Sequence, residues 1–171
     1  MPQDDAMARL ARQIDAARRT EYDSISLDDI AELRRQGAAD LHAICADFVA
    51  RLNSRLSHAA LELAPSVYNT EEFRDSGPNL FQVSSQGRQM QITFVGVRER
   101  ASTDKFLVPY MLEGEIRTYN QRMLEHFEVR TLSIFYCIED SRVSWRFYDW
   151  RTLRTGQVNR DLLASEMERL F

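Results

Sequence analysis

The sequence predicts an α+β domain in which long N-terminal helices pack on a mostly antiparallel sheet of about five strands, followed by a C-terminal helix. Apolar residues recur every three or four positions over residues 1–57, as they do in amphipathic helices. Between residues 80 and 150 the period changes to two, which is the period of strands. These strands follow one another without the crossover helices that parallel pairing needs, so we expect antiparallel neighbours.

The length and composition fit one domain over residues 1–171. Of the 171 residues, 44% are hydrophobic and 28% are charged, which is typical of a globular protein. A chain of this size buries enough surface to fold without a disulfide or a structural metal. It has no apolar run of about 18 residues and no secretory signal, so we expect a cytoplasmic protein that binds no membrane.

The first helix is predicted over residues 4–19. Its apolar positions form a narrow, alanine-rich stripe, with acidic residues early and Arg18 and Arg19 late. The members of this stripe are Ala6, Met7, Leu10, Ala11, Ile14 and Ala17. So many small side chains predict close packing against another helix, either of the same chain or of a partner.

A second, long helix is predicted over residues 27–56, with Ser26 as its N-cap. The apolar period continues through Gly37 without slipping, although glycine is a common helix stop. Such a helix is about 45 Å long at 1.5 Å per residue, against about 40 Å for a globule of this size. We therefore expect it to project or to pair with a partner, which favours a homodimer. Its predicted interface or core positions are Leu41, Ile44, Phe48 and Leu52.

Residues 58–79 form a connector that is long for a plain loop, so a binding element or lid is one interpretation. Five strands are predicted after it, over residues 80–84, 89–97, 110–120, 127–138 and 142–150. Residues 159–171 return to helical spacing, with Asn159 as a cap.

The charge and cysteine content exclude several classes of function. A net charge of −4 argues against general nucleic-acid binding, which needs a basic face. Arginine supplies nearly all of the positive charge, as in proteins from GC-rich genomes, and Lys105 is the only lysine. Cys45 and Cys137 are too far apart for metal-ligand spacing, so we expect two buried, reduced thiols and no metal or cofactor.

Three carboxylates suggest one possible enzyme site. Asp104, Glu113 and Glu115, followed by Arg117, loosely resemble the acidic triad of metal-dependent nucleases, in which two carboxylates hold Mg²⁺. Arginine occupies the place of the usual lysine and stays protonated. An ordinary solvated strand face with ion pairs explains the same pattern.

A polar patch on the sheet is the second lead. If the last three predicted strands are neighbours, arginines and tyrosines converge there and can hold a small apolar or anionic ligand. The candidate ligand-binding residues are Arg117, Tyr119, Arg130, Arg146 and Tyr148 on this patch, together with Trp145, which belongs to an aromatic group on the other side of the fifth strand that could enclose an apolar ligand.

Three functions remain open from the sequence. The favoured one is a non-catalytic, self-associating binding or interaction module, because the long helix needs a partner and no catalytic spacing occurs. The alternative is a small-molecule-binding domain or enzyme with a pocket between the sheet, the helices and residues 68–79. A metal-dependent nuclease is the third.

Overall fold

A computed structural model describes the backbone of residues 2–22 and 25–171, and the side chains of these residues except 2–4 and 18–22. Two helices, α1 (Pro2–Tyr22) and α2 (Leu27–Asn53), precede a sheet, and α4 (Arg160–Glu168) follows it. A short helix α3 (Gln121–Glu125) lies within the sheet region. The predicted α+β class, with N-terminal helices and a C-terminal helix, is confirmed.

The sheet is an antiparallel meander of seven strands rather than five, and its spatial order is the chain order. The strands are β1 (Glu62–Ala64), β2 (Asn79–Ser85), β3 (Arg88–Gly96), β4 (Tyr110–Asn120), β5 (Arg130–Glu139), β6 (Arg142–Asp149) and β7 (Arg154–Gln157). The two additional strands, β1 and β7, are the short edges. Neither is long enough to show the alternation of apolar and polar residues that identifies a strand.

Helix α2 lies across one face of the sheet and does not project. The Ser26 hydroxyl accepts a hydrogen bond from the Asp29 N–H at 3.1 Å, which caps its start. Buried residues recur from Ile30 to Val49, so the sheet covers the helix over most of its length. The expectation of a projecting α2 is therefore wrong, because the meander is wide enough to support the helix.

Gly37 is a point of close approach between α2 and the sheet. A Cβ atom at this position would lie 2.6 Å from the Tyr136 ring. The Trp145 indole N–H also donates a hydrogen bond to the Gly37 carbonyl at 2.6 Å. The helix thus continues through Gly37, and the absent side chain makes room for a tyrosine of the sheet.

The main core lies between α2, α4 and the covered face of the sheet. It includes fully buried Leu41, Ile92, Ile134 and Leu163. Helix α4 begins at its Asn159 cap and contributes Leu163 and Met167 to this core. No helix in the described part of the chain is long and apolar enough to cross a membrane.

Candidate functional site

Four of the six predicted ligand-binding residues lie on the face of the sheet away from α2, which we call the open face. They are Arg117 and Tyr119 on β4 and Arg146 and Tyr148 on β6. Residues opposite each other in an antiparallel register share a face, and Arg117 lies opposite Thr131 whereas Arg146 lies opposite Phe135. Four residues of β5, about 13 Å, separate these positions, so the two arginines do not converge.

The loop between β3 and β4 covers the Arg146 part of the open face. Its Phe106 stacks parallel to Phe135, with 4.9 Å between the ring centroids. The Arg146 guanidinium lies 5.7 Å from the Phe106 ring and 3.5 Å from the Glu139 carboxylate. Under this cover, burial raises the pKa of Cys137 to about 12. Arg146 therefore stabilises the loop rather than facing an open binding site.

The three carboxylates of the nuclease hypothesis are not arranged as a metal site. Glu113 accepts a hydrogen bond from Lys105 at 2.9 Å, and this bond raises the pKa of the lysine. Glu115 lies 3.8 Å from Arg117 on its own strand. Among residues 2–22 and 25–171, no three His, Cys, Asp or Glu residues are grouped to hold a metal ion. Two of the three acids, Glu113 and Glu115, are therefore engaged in ion pairs with nearby basic residues.

Arg130, which was predicted on the polar patch, lies on the opposite, helix-covered face. It is paired with Thr118 in the register and reaches α4, where its Nε donates to Glu166 at 2.8 Å. Its Nη2 donates to Asp149 at 3.1 Å. Both carboxylates are almost fully buried, with 3% of Glu166 and 5% of Asp149 exposed. One partly buried arginine thus joins β5, β6 and α4 through two charge-assisted contacts.

Asp149 is held in its ionised form at this junction. Burial alone would raise its pKa, but the Arg151 N–H, the Thr152 hydroxyl and the charge of Arg130 together hold the pKa below its ordinary value. A cleft of about 390 Å³ opens beside the three paired charges, between β7 and α4. Arg130 pairs with both buried carboxylates that line the cleft, so these groups fit a structural attachment of α4 better than a ligand site.

Trp145, the last of the six residues, is also on the helix-covered face. Only 3% of it is exposed, and its ring packs at 5.3 Å from the ring of Tyr136. Burial and the nearby Asp40 raise the pKa of Tyr136. These aromatic residues fill the space between α2 and the sheet, where the alternative hypothesis placed a pocket.

The connector at residues 58–79 is anchored to α2 and the sheet. The Tyr68 ring stacks on His42 of α2 at 5.5 Å and packs edge-on against Phe81 at 5.1 Å. The His42 ring nitrogen lies 2.8 Å from the Pro65 carbonyl oxygen. The segment contains β1 and a short 3-10 helix at Thr70–Glu72. Through these contacts the connector is packed against the rest of the domain.

Two charged residues with a structural role were missed in the sequence analysis. Arg34 of α2 is 7% exposed and donates to Asp75, to the Val97 carbonyl and to the Glu99 carbonyl at 2.7 to 2.9 Å. Glu166 of α4 is the partner of Arg130 described above. Each occupies a position within the apolar stripe of its helix, and a charge in such a position is the signal that could have revealed it.

The four predicted interface or core positions of α2 lie at different depths. Leu41 and Phe48 are 0% and 4% exposed and belong to the main core. Ile44 and Leu52 are partly buried and pack against that core. Ile44 and Leu52 also border shallow clefts between α2 and α4. The most apolar side of α2 is therefore already covered by the chain's own sheet.

Helix α1 presents the clearest uncovered apolar surface among the described residues. Every described side chain of this helix, over residues 5–17, is exposed. Met7, Leu10 and Ile14 share one side of the helix and are 69%, 50% and 58% exposed. We call these three residues the α1 stripe. The predicted close packing against another helix is therefore not observed for the side chains of residues 5–17.

Comparison with known proteins gives no independent guide to function. The chain matches no protein-family model, no curated protein and no solved structure. The kind of protein is therefore inferred from its structure, which is an α+β domain preceded by a helix with exposed apolar side chains.

Proposed function

We propose that this chain is a non-catalytic interaction module that self-associates, and that α1 is the element through which it does so. The observation that carries the proposal is the exposed α1 stripe. A regular row of large apolar side chains in water marks an interaction site more often than a chance feature. Fully burying a side chain such as Met, Leu or Ile contributes about 1.5 to 3 kcal/mol, so covering the stripe supplies a substantial driving force.

The stability of α1 also favours a partner. Intrinsic propensity contributes little to most helices in proteins, which owe their stability to the packing of an apolar face. Within α1 the Arg9 guanidinium pairs with Asp5 at 2.6 Å. A pair of this type contributes only about 0.3 to 0.5 kcal/mol. Packing of the stripe on another molecule provides the missing stabilisation.

The chemistry of the remaining residues supports a non-catalytic role. The buried charges are paired with one another, as Arg130 is with Asp149 and Glu166. Burial raises the pKa of Cys45 to about 12, which suppresses the reactive thiolate of that residue. These groups stabilise the fold and are not poised for proton transfer or nucleophilic attack.

Replacing Leu10 with Asp tests this proposal. The change puts a charge into the stripe of each copy, and we expect the dissociation constant of the self-associated state to rise at least about a hundredfold. Multi-angle light scattering after size-exclusion chromatography, over a range of protein concentrations, measures this effect. The melting temperature of the diluted monomer should not change, because α1 lies outside the core.

The matched control is Ala8→Asp, which adds the same charge about 200° around the same helix. Ala8 is exposed and lies away from the stripe, so this variant should keep the mass of the unaltered protein. Equal masses for the Leu10→Asp variant and the unaltered protein at every concentration would refute the proposal.

A further inference from the structure

We infer that α1 pairs with α1 of a second copy of this chain, and that the two helices run antiparallel. The inference rests on the proposed self-association and adds the identity and direction of the partner element. It follows from the spacing of the apolar residues along α1, from their sizes and from the order of charges in the helix.

The spacing of the apolar residues is that of a coiled-coil seam. Met7, Leu10, Ile14 and Ala17 are separated by three, four and three residues, which are the intervals between successive a and d positions of a heptad. All four side chains are exposed on the domain. A seam limited to a and d positions is narrower than the face that a helix presents to a globular core, and it fits a single partner helix.

The sizes of these residues favour an antiparallel pair. Antiparallel pairing in one register places Leu10 of each copy against Ile14 of the other, and Met7 against Ala17. Each layer then combines two branched side chains, or one long and one small side chain, so the layers have similar volumes. Parallel pairing would place Met7 against Met7 and Ala17 against Ala17, which gives one crowded layer and one gap.

The order of charged residues along α1 also favours an antiparallel pair. The α1 segment has Asp4 and Asp5 near its start and Arg18 and Arg19 near its end. Antiparallel pairing brings the acidic start of one copy to the basic end of the other, and it also opposes the two helix dipoles. Parallel pairing would bring like charges together at both ends.

The residues beside the seam permit close approach of two helices. Ala11 and Gln13 flank the centre of the seam, and neither is charged or bulky. The Asp5–Arg9 ion pair lies on the outward side of the heptad, so pairing leaves it intact. The surface required for the contact is therefore complete within α1.

Disulfide trapping between two single-cysteine changes tests the direction of pairing. The full-length variants Leu10→Cys and Ile14→Cys, distinguished by a tag on one of them, are mixed in equal amounts in a buffer of reduced and oxidised glutathione. The native thiols do not interfere, because Cys45 and Cys137 are 0% and 1% exposed. Native mass spectrometry of each variant before oxidation shows whether it is a dimer. Ala8→Cys, on the outward side, is the control and should give no linked dimer.

We expect the mixed disulfide between positions 10 and 14 to exceed the share that random pairing gives. Linked dimers mainly of like variants would show a parallel pair and overturn the inference while leaving self-association intact. If mass spectrometry shows a dimer but no mixture gives a disulfide, α1 binds another surface, such as the cleft between α2 and α4. That result would also overturn the inference and leave self-association intact. Monomers in every sample, including the unaltered protein, would remove both the inference and the proposed function.

Discussion

The type of residue that some positions of this domain can accept is determined by the side chains packed against them in the core. Gly37 shows this most clearly, because its missing side chain accommodates the Tyr136 ring while its carbonyl accepts the Trp145 hydrogen bond. Tyr136 has little freedom to move, since it is 1% exposed and its hydroxyl lies 3.3 Å from Asp40. At Gly37, the surface of α2 is therefore complementary in shape and in hydrogen bonding to the aromatic residues of the sheet.

Replacing Gly37 with Ala should destabilise the protein even though alanine favours helices. The gain in helix propensity is about 1 kcal/mol, but the new Cβ atom overlaps a buried ring, and overpacking of this kind costs about 1 to 3 kcal/mol. We expect a net loss of up to about 2 kcal/mol in the free energy of unfolding, measured by urea titration.

The control for this change is Gly77→Ala in the connector. A Cβ atom there would meet only the Arg74 side chain, at 3.9 Å, so we expect a change within about 0.5 kcal/mol. Equal or greater stability of the Gly37→Ala variant would contradict the tight contact between α2 and the sheet.

At the scale of elements, α4 is attached to the sheet by charge as well as by apolar packing. Arg130 of β5 bridges Glu166 of α4 and Asp149 of β6. Removing one carboxylate from such a largely desolvated group of charges is destabilising, because it leaves the arginine with less compensation. The position of α4 is therefore sensitive to the ionisation of Asp149.

The acid stability of the protein tests this attachment. The fold holds the pKa of Asp149 below the unfolded value of about 3.9. The ionised carboxylate therefore stabilises the fold above that pH, and the stabilisation is lost as the pH falls through the lower, folded pKa. We expect Asp149→Asn to lower stability at pH 7 and to make the free energy of unfolding less dependent on pH in the acidic range.

Urea titrations from pH 7 down to about pH 3 measure this dependence. Asp104→Asn, which removes an exposed carboxylate of the β3–β4 loop, serves as the control and should keep the pH profile of the unaltered protein. An Asp149→Asn profile with the same slope as that of the unaltered protein would show that this carboxylate does not contribute to the attachment.

The sequence predicts the long elements of this fold better than the short ones. Residues 110–120 show a clear alternation, and β4 spans those residues. The strand predicted from residue 127 begins at Arg130 instead, because α3 and a turn with Phe127 at φ +54° intervene. The edge strands were not predicted, since three or four residues without regular alternation carry no periodic signal.

The predicted polar patch failed because polarity alone does not determine the face of a strand. Arg130 was grouped with Arg117 and Tyr119 as a polar residue, but the register places it opposite Thr118 on the covered face. There its charge is compensated by Asp149 and Glu166, which are distant in the sequence. The sequence does not show which distant residues compensate the charge of Arg130, whereas the α1 stripe follows directly from residue spacing.

At the scale of the whole molecule, the two helices before the sheet have different roles. Helix α2 completes the core, and its apolar side is used within the chain. Helix α1 leaves an equally regular, although shorter, apolar row in solvent. The expectation of a dimer arose from the length of α2, but the structural support for the proposal comes from α1. A dimer formed through α1 would leave the open face and both domain cores unchanged.

Native mass spectrometry of the purified, unaltered protein, with a denatured sample as the control, shows whether the protein self-associates. We expect a species of twice the 19.9 kDa chain mass under native conditions, without added mass from a ligand, and the single-chain mass after denaturation. A monomer carrying a retained small molecule would refute self-association, and the mass of that molecule would identify the class of ligand instead.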